Sequence, residues 1–146
     1  MDILRRNTDY ALRAIVNLAE HYGNEAISAR ELAQKGDIPY QLLCKLLQRL
    51  NKARLVKSNM GAKGGFRLSK EPSKISVLQV IETIQGPVRL NRCLLNADGC
   101  TRQKSCVVKV RLAELQKSLS SNLDSITLDE LTKKTGAKTK NVRRKR

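Results

Sequence analysis

Three of the four cysteines in this 146-residue chain fall within one short stretch, CLLNADGCTRQKSC. Cys93, Cys100 and Cys106 are separated by six and then by five residues. Thiolates are the ligands that soft metals and iron–sulfur clusters prefer, and a compact, flexible loop lets several of them converge on one centre. The stretch contains an Asp-Gly pair, which favours such a loop. The pattern therefore predicts three candidate ligands for one metal centre.

Other chemistry for these cysteines stays open at this point. Structural zinc usually takes four ligands that include a close C-x2-4-C pair, which the sequence lacks. Two of the thiols could form a redox switch without a metal, and all three could be inert small residues. Basic residues surround the three cysteines: Arg89, Arg92, Arg102, Lys104, Lys109 and Arg111. Their charge would favour thiolates and would offset the charge of a ligated cluster, which is compatible with an iron–sulfur centre.

The composition indicates a folded, soluble chain. Hydrophobic residues make up 40% of it, but charges interrupt every apolar run before it reaches membrane-spanning length. The N-terminal MDILRRNTDY lacks the apolar segment of a secretory signal. We therefore expect a cytoplasmic protein with no membrane partner, in a compartment where clustered cysteines are more often metal-binding or redox-active than disulfide-bonded. A single histidine and the lack of a paired acid–base constellation argue against an enzyme.

The net charge of +16 is concentrated in two segments of the chain. Residues 133–146 hold eight basic residues and no acidic one, and residues 29–70 hold ten basic residues against two acidic ones. A disordered basic tail, expected over 135–146, binds any polyanion without specificity. The interior segment is more informative, because it coincides with a motif.

That interior segment has the pattern of two helices joined by a short turn. Ser28 followed by Glu31 is a capping-box helix start, and Gly36 is a candidate for the turn that ends this helix. The next helix carries an apolar stripe of leucines, at Leu42, Leu43, Leu46, Leu47 and Leu50. Its other face is basic and rich in amides, as in a helix-turn-helix that binds double-stranded DNA. The predicted DNA contacts here are Ser28, Tyr40, Gln41, Lys45, Gln48 and Arg49.

A β-hairpin follows the second helix. The sequence LVKSNMGAKGGFRLSK predicts strands at 55–59 and 66–69 around a turn that contains Gly61, Gly64 and Gly65, since glycine permits the positive φ angles of such a turn. This order of elements is that of a winged helix-turn-helix. Lys57, Lys63 and Arg67 complete the predicted DNA contacts, because basic side chains on a wing can reach a phosphate or the minor groove.

The remaining patterns complete a mainly α fold with a small β-hairpin wing. We predict helices at 8–22 with Thr8 as cap, at 76–85 begun by Ser76, at 105–121, and at 127–134 begun by Thr127. The long helix has a narrow apolar stripe that suits pairing with a partner helix: Val108, Leu112, Leu115 and Leu119. The predicted organisation is a DNA-binding domain at 1–86, a cysteine-containing loop at 87–104, a dimerisation helix and short terminal helix at 105–134, and the tail.

The chain resembles the IscR/NsrR/RirA family of bacterial winged-helix transcription regulators. The resemblance lies in TDYALRAIVNLA at the start, the wing, VLQVIETIQGP after it, and three cysteines before a long helix. It implies a homodimer paired through that helix, which binds a roughly palindromic operator, usually as a repressor. It also implies sensing of iron, nitric oxide or redox state through an iron–sulfur cluster, of either the 2Fe-2S or the 4Fe-4S type.

The fourth cluster ligand depends on this resemblance. Some members have a histidine three residues after the third cysteine, where this chain has Lys109. Another pattern in the family supplies a carboxylate from the first helix of the partner subunit, which nominates Asp9. The alternative role of Asp9 is that of a carboxylate that stabilises the N-terminus of its own helix.

Two departures from the family concern the DNA-binding segment. Cys44 occupies a position in the second helix where a well-known member has an acidic residue, and Met60 stands where members often have Arg. Alternatives to the cluster-based regulator are a cluster-free regulator that uses a thiol switch or a small ligand, and a basic metal-trafficking accessory protein.

Overall fold

The computed structural model describes residues 3–94, 100–102 and 104–134. Within them the chain forms helices α1 to α6 and a hairpin of strands β1 and β2, and the predicted fold class is confirmed. In chain order the elements are α1 Arg6–Glu20, α2 Ala29–Gly36, α3 Tyr40–Lys52, β1 Val56–Asn59, β2 Gly65–Leu68, α4 Val77–Gln85, α5 Val107–Ser125 and α6 Leu128–Lys134. Short 3-10 turns lie at Pro72–Lys74 and Arg92–Leu94. The predicted tail lies outside the described residues.

The start of α1 differs from the prediction. Thr8 does not cap the helix, which begins at Arg6 after Arg5, a residue that makes no side-chain capping bond. Thr8 is instead fully buried within the first turn. Its hydroxyl donates a hydrogen bond of 2.7 Å to Oε1 of Gln85, 77 residues further along the chain. This distant partner satisfies the hydroxyl that would otherwise have been available for capping.

The turn between α2 and α3 also differs in one detail. Ser28 begins α2 as predicted, with its Oγ accepting from the Glu31 backbone N–H at 3.2 Å. The left-handed residue at the end of α2, however, is Asp37, with φ +50°, and not Gly36. Glycine at 36 leaves room for the Ile38 side chain, because an added Cβ would lie 2.8 Å from Cδ1 of Ile38 and would displace it. Ile38 can therefore turn inward and fill the gap between the two helices, where it is buried.

The wing is joined to the helical domain by backbone hydrogen bonds. β1 and β2 pair antiparallel, and Phe66 also exchanges two backbone hydrogen bonds with Ile27, at 2.8 and 2.9 Å. This third strand-like contact requires close approach at Gly65, since an added Cβ would lie 2.4 Å from the Ile27 carbonyl oxygen. Gly61 and Gly65 have positive φ angles, as predicted, whereas Gly64 is not among the positive-φ glycines. A Cβ at Gly64 would instead lie 2.6 Å from the Asn59 carbonyl oxygen.

α4 and α5 form a second packed layer. Ser76 caps α4 in a complete capping box with Gln79, which confirms the predicted start. The C-terminal half of α5 packs Leu119 and Leu123 against a small cluster made of Val77, Ile81 and Val88. Only part of the predicted apolar stripe of α5 is packed within the chain. Leu119 is covered, whereas Val108 and Leu115 remain 60% and 59% exposed.

α6 packs against the N-terminal helices of the chain. Leu128 is fully buried in the main core with residues of α1 and α3. The backbone N–H of Leu128 donates to Ile75 at 3.0 Å, and that of Val77 donates to Ile126 at 2.9 Å. The end of α5 is thereby tied to the beginning of α4. No helix in the described part of the chain is long and apolar enough to cross a bilayer.

Candidate nucleic-acid interface and cysteine segment

The outer face of α3 is polar, basic and open to solvent. Gln41, Lys45 and Gln48 are exposed, on the side of the helix opposite to its buried leucines. Amides and amines on a helix of this kind can contact base edges in the major groove. Ser28 and Tyr40, at the starts of the two helices, are exposed as well. The structure therefore leaves these five predicted contacts accessible on the surface of the helix-turn-helix.

The sequence prediction missed one basic residue of this surface. The guanidinium of Arg30 lies over the ring of Tyr40, 5.8 Å from its centroid. Such a cation–π contact holds the arginine in place beside the start of α3. Arg30 was overlooked because its partner lies on the next helix, whereas periodicity describes only the faces of a single helix. Its position two residues after the cap Ser28 was the one available signal.

Arg49 is oriented differently from the other predicted contacts. Its Nη1 donates a hydrogen bond of 3.0 Å to the carbonyl oxygen of Ile84, in the last turn of α4. Carbonyls at a helix end lack partners within the helix, so this bond satisfies an otherwise unpaired acceptor. At least one nitrogen of Arg49 is thus directed toward α4. Its predicted contact with DNA stays a prediction.

The wing presents basic side chains close together. Lys57 and Arg67 are cross-strand partners, and both are exposed. Two like charges directly opposite each other repel, and a bound phosphate would relieve that repulsion. Lys63 forms an ion pair with Glu25 at 3.2 Å, with side chains 83% and 78% exposed. An ion pair this exposed contributes little to stability. Lys63 can therefore leave Glu25 and bind a phosphate instead. Met60, at the turn, is 98% exposed.

Of the three clustered cysteines, only Cys106 belongs to the N-terminal end of α5. Cys93 is half-buried in the 3-10 turn, Cys100 is exposed, and Cys106 is half-buried as the N-cap of α5. The sulfur of Cys106 accepts from the backbone N–H of Lys109 at 3.4 Å. Among the described residues, no three His, Cys, Asp or Glu side chains are gathered closely enough to hold a metal ion. The structure therefore does not bring the predicted ligands together.

The chemistry of this donor set nevertheless fits an iron–sulfur cluster. All three cysteines are free, and thiolates are the usual ligands of such clusters. An anionic ligand at position 106 would be favoured by the dipole of α5, at whose N-terminus it lies. Cys44, the fourth cysteine, is half-buried on α3 and belongs to a different part of the molecule.

Asp9 lies on the exposed surface of α1. Its carboxylate forms an ion pair with Arg13 one turn later, and the guanidinium of Arg13 also lies 5.4 Å from the centroid of the Tyr10 ring. Arg13 therefore competes with a metal centre for the Asp9 carboxylate, and the ligand role of Asp9 stays a prediction. His21 is half-buried, with Nδ1 2.8 Å from the carbonyl oxygen of Asn17.

Comparisons with known proteins agree with this geometry. The model of the Rrf2 family, described as iron-dependent transcriptional regulator, matches residues 4–134. The HTH-type transcriptional regulator IscR of Vibrio atlanticus is 33% identical over 124 residues, covering 85% of this chain and 71% of that protein. The structure of T. potens IscR has a TM-score of 0.74 and 30% identity, covering 90% of this chain and 87% of that one. The structure of CymR, the global cysteine regulator of B. subtilis, has a TM-score of 0.74 and 27% identity, covering 91% of this chain and 98% of that one. The chain therefore belongs to the Rrf2 family of winged helix-turn-helix transcriptional regulators.

Proposed function

We propose that this regulator is a homodimeric repressor that senses iron, nitric oxide or redox state through an iron–sulfur cluster. The observation that carries the proposal is the combination of two features in one small chain. One is an exposed, basic and amide-bearing surface on α3 and the wing, and the other is a set of three free thiols on the connection between α4 and α5.

The DNA contacts divide by chemistry into two groups. Gln41, Lys45 and Gln48 on α3 are proposed to contact base edges, because amides pair well with adenine and amines with guanine. The other group is proposed to contact phosphates or the minor groove, and it comprises Ser28, Arg30, Tyr40, Lys57, Lys63 and Arg67. These contacts fix orientation and supply the salt-dependent part of the affinity.

The homodimer is proposed to form through α5. The N-terminal half of this helix carries four large apolar side chains that are 59% to 76% exposed to solvent: Val107, Val108, Val110 and Leu115. A second copy of the chain would cover this face from water. A two-fold dimer presents two copies of α3 to two half-sites, which is why the operator is expected to be roughly palindromic.

Cys93, Cys100 and Cys106 are the proposed cluster ligands, with the partner subunit's Asp9 as the proposed fourth. A bound cluster supplies a centre that is sensitive to oxidants and nitric oxide and that is lost when iron is scarce. Three thiols that bind one cluster are held close together, so binding or loss of the cluster would favour different positions of Cys93 and Cys106. A difference of a few kcal/mol between the two arrangements is enough to change operator affinity by orders of magnitude.

A second candidate keeps the DNA-binding role without a cluster. The free, ungathered cysteines and the likeness to CymR favour a regulator whose thiols respond directly to oxidation or whose ligand is a small molecule. The alternative of a metal-trafficking accessory protein does not agree with membership in a family of transcriptional regulators.

One experiment on protein purified without oxygen tests both candidates. Iron and acid-labile sulfide are assayed together with the visible absorption spectrum, and the operator is selected from random-sequence DNA with the same sample. Visible charge-transfer bands with stoichiometric iron and sulfide support the cluster. A colourless protein that selects a defined DNA sequence but resists reconstitution favours the thiol-based candidate.

A further inference from the structure

The last turn of α4 is a junction at which three other parts of the chain meet. Here the α4 junction means Ile84, Gln85 and Gly86. The recognition helix α3 reaches it through Arg49, which donates to the Ile84 carbonyl oxygen at 3.0 Å. α1 reaches it through Thr8, whose hydroxyl donates to Gln85 Oε1 at 2.7 Å. The Gln85 amide in turn donates to the backbone of the segment before α1.

The cysteine segment begins directly after this junction and is held by one buried amide. Gln116 of α5 is only 8% exposed. Its Nε2 donates to the Val88 carbonyl oxygen at 2.8 Å, and its Oε1 accepts from the Leu90 backbone N–H at 2.8 Å. Nε2 also lies 3.1 Å from the hydroxyl of Ser120. The amide thus pairs with the backbone as a neighbouring strand would, and it ties the start of the segment to α5.

These contacts form a continuous path from a candidate ligand to the DNA-binding surface. Cys93 follows Leu90 by three residues, and Val88 follows Gly86 by two. Val88 is 1% exposed and Ile84 is 6% exposed, so both lie in packed surroundings that resist independent movement. A buried amide that loses one of its partners is costly, so Gln116 strongly favours one arrangement of the backbone at 88–90.

We propose that Arg49 and Gln116 are positioning residues that couple the cysteine segment to the recognition helix. The inference rests on the proposed function, because it assumes that the cysteines change state. A change at Cys93 that displaces the backbone at 88–90 either breaks the hydrogen bonds of Gln116 or moves Gln116 as well. The displacement reaches the α4 junction through Val88, and Arg49 passes it to α3. The change in α3 then alters the operator affinity of the dimer.

The test measures the ratio of operator affinities between two states of the full-length protein. The DNA is the sequence that wild-type protein selects from a random pool. The states are protein reconstituted anaerobically with iron and sulfide, and the same protein stripped with a chelator. The variants are Arg49→Gln and Gln116→Met, and Lys117→Met, at the exposed neighbour of Gln116, is the matched control.

We expect the affinity ratio between the two states to fall about threefold or more in Arg49→Gln and in Gln116→Met, and to stay at the wild-type value in Lys117→Met. In this inference Arg49 acts through its bond to the Ile84 carbonyl oxygen and not through the DNA contact that the sequence predicts. The salt dependence of binding should therefore stay unchanged in both variants. Thermal unfolding identifies any variant that does not fold. Arg49 is exposed, so its variant remains informative should Gln116→Met be unstable.

Three results would overturn the inference. If folded variants keep the wild-type ratio, the two residues do not couple the sites. If Arg49→Gln lowers affinity equally in both states and reduces the salt slope by about one, then Arg49 is a phosphate contact instead. If wild-type protein itself shows no difference between the states, the proposed sensing function fails, and the inference fails with it.

Discussion

Thr8 and Gln85 join the first helix of the chain to the end of the fourth. The Thr8 hydroxyl, fully buried, donates to Gln85 Oε1 at 2.7 Å, and the backbone N–H of Arg5 donates to the same oxygen at 3.0 Å. One amide side chain therefore fixes both the start of α1 and the segment that precedes it. This contact places the start of α1 beside the end of α4, after which the chain continues toward Cys93.

Replacing Thr8 with Val should lower the free energy of unfolding by about 1 kcal/mol, because the variant keeps the shape of the side chain but leaves the half-buried Gln85 Oε1 short of one donor. Chemical denaturation of the two proteins measures the difference. The control is Thr83→Val, whose hydroxyl donates only to the Gln79 carbonyl of its own helix. An equal effect of both changes would show that the contact between α1 and α4 has no special importance.

Replacing Gln48 with Ala should reduce discrimination between the selected operator and its single-base variants, by about 1–3 kcal/mol at the contacted base pair. Non-specific binding should change little, because the amide is neutral. Fluorescence anisotropy with a set of operator variants measures the effect. Uniform weakening on every DNA sequence would contradict base contact by Gln48.

Replacing Lys63 with Ala should weaken binding to all DNA sequences alike and reduce the slope of log affinity against log salt by about one, because a phosphate contact releases a counterion. Removing its ion-pair partner in Glu25→Ala should strengthen binding slightly, since the competing carboxylate is lost. A salt titration of both variants distinguishes these outcomes. An unchanged slope in Lys63→Ala would exclude the phosphate contact.

Replacing Leu115 with Glu should raise the dissociation constant of the dimer by about tenfold or more, because a carboxylate would have to be buried at an apolar interface without a partner. Leu115 is 59% exposed in the single chain, so the fold itself should tolerate the change. Ser121→Glu, at an exposed position of the same helix, adds the same charge and is the control. Sedimentation velocity over a concentration series measures dimerisation, and equal behaviour of the two variants would argue against pairing through this face.

Replacing Cys100 with Ala should abolish uptake of a full cluster while leaving the unfolding temperature nearly unchanged, because the side chain is exposed. Cys44→Ala is the matched control and should retain the cluster. Iron and sulfide content after anaerobic reconstitution measures the difference. A full complement in Cys100→Ala would refute the ligand assignment.

Local signals in the sequence predicted most of the helices and the wing. Ser28, Ser76 and Thr127 each mark a helix start as predicted, because a cap bonds to a backbone group only three residues away. The buried leucines of α3 follow from helical periodicity alone. The prediction failed at Thr8, whose partner is 77 residues distant, and it did not reveal that Arg49 bonds to a carbonyl 35 residues away. No local pattern contains such partners.

The cysteine segment shows the same division. The sequence by itself determined the donor set, because residue type and spacing specify three thiols among basic neighbours on the connection between two helices. Only the tertiary structure decided which groups are near one another: Asp9 pairs with Arg13, Gln116 holds the backbone that leads to Cys93, and the described cysteines are not gathered at one point. The physical reason is that residue chemistry and helical periodicity are properties of a few adjacent residues, whereas distances between side chains depend on how whole elements pack.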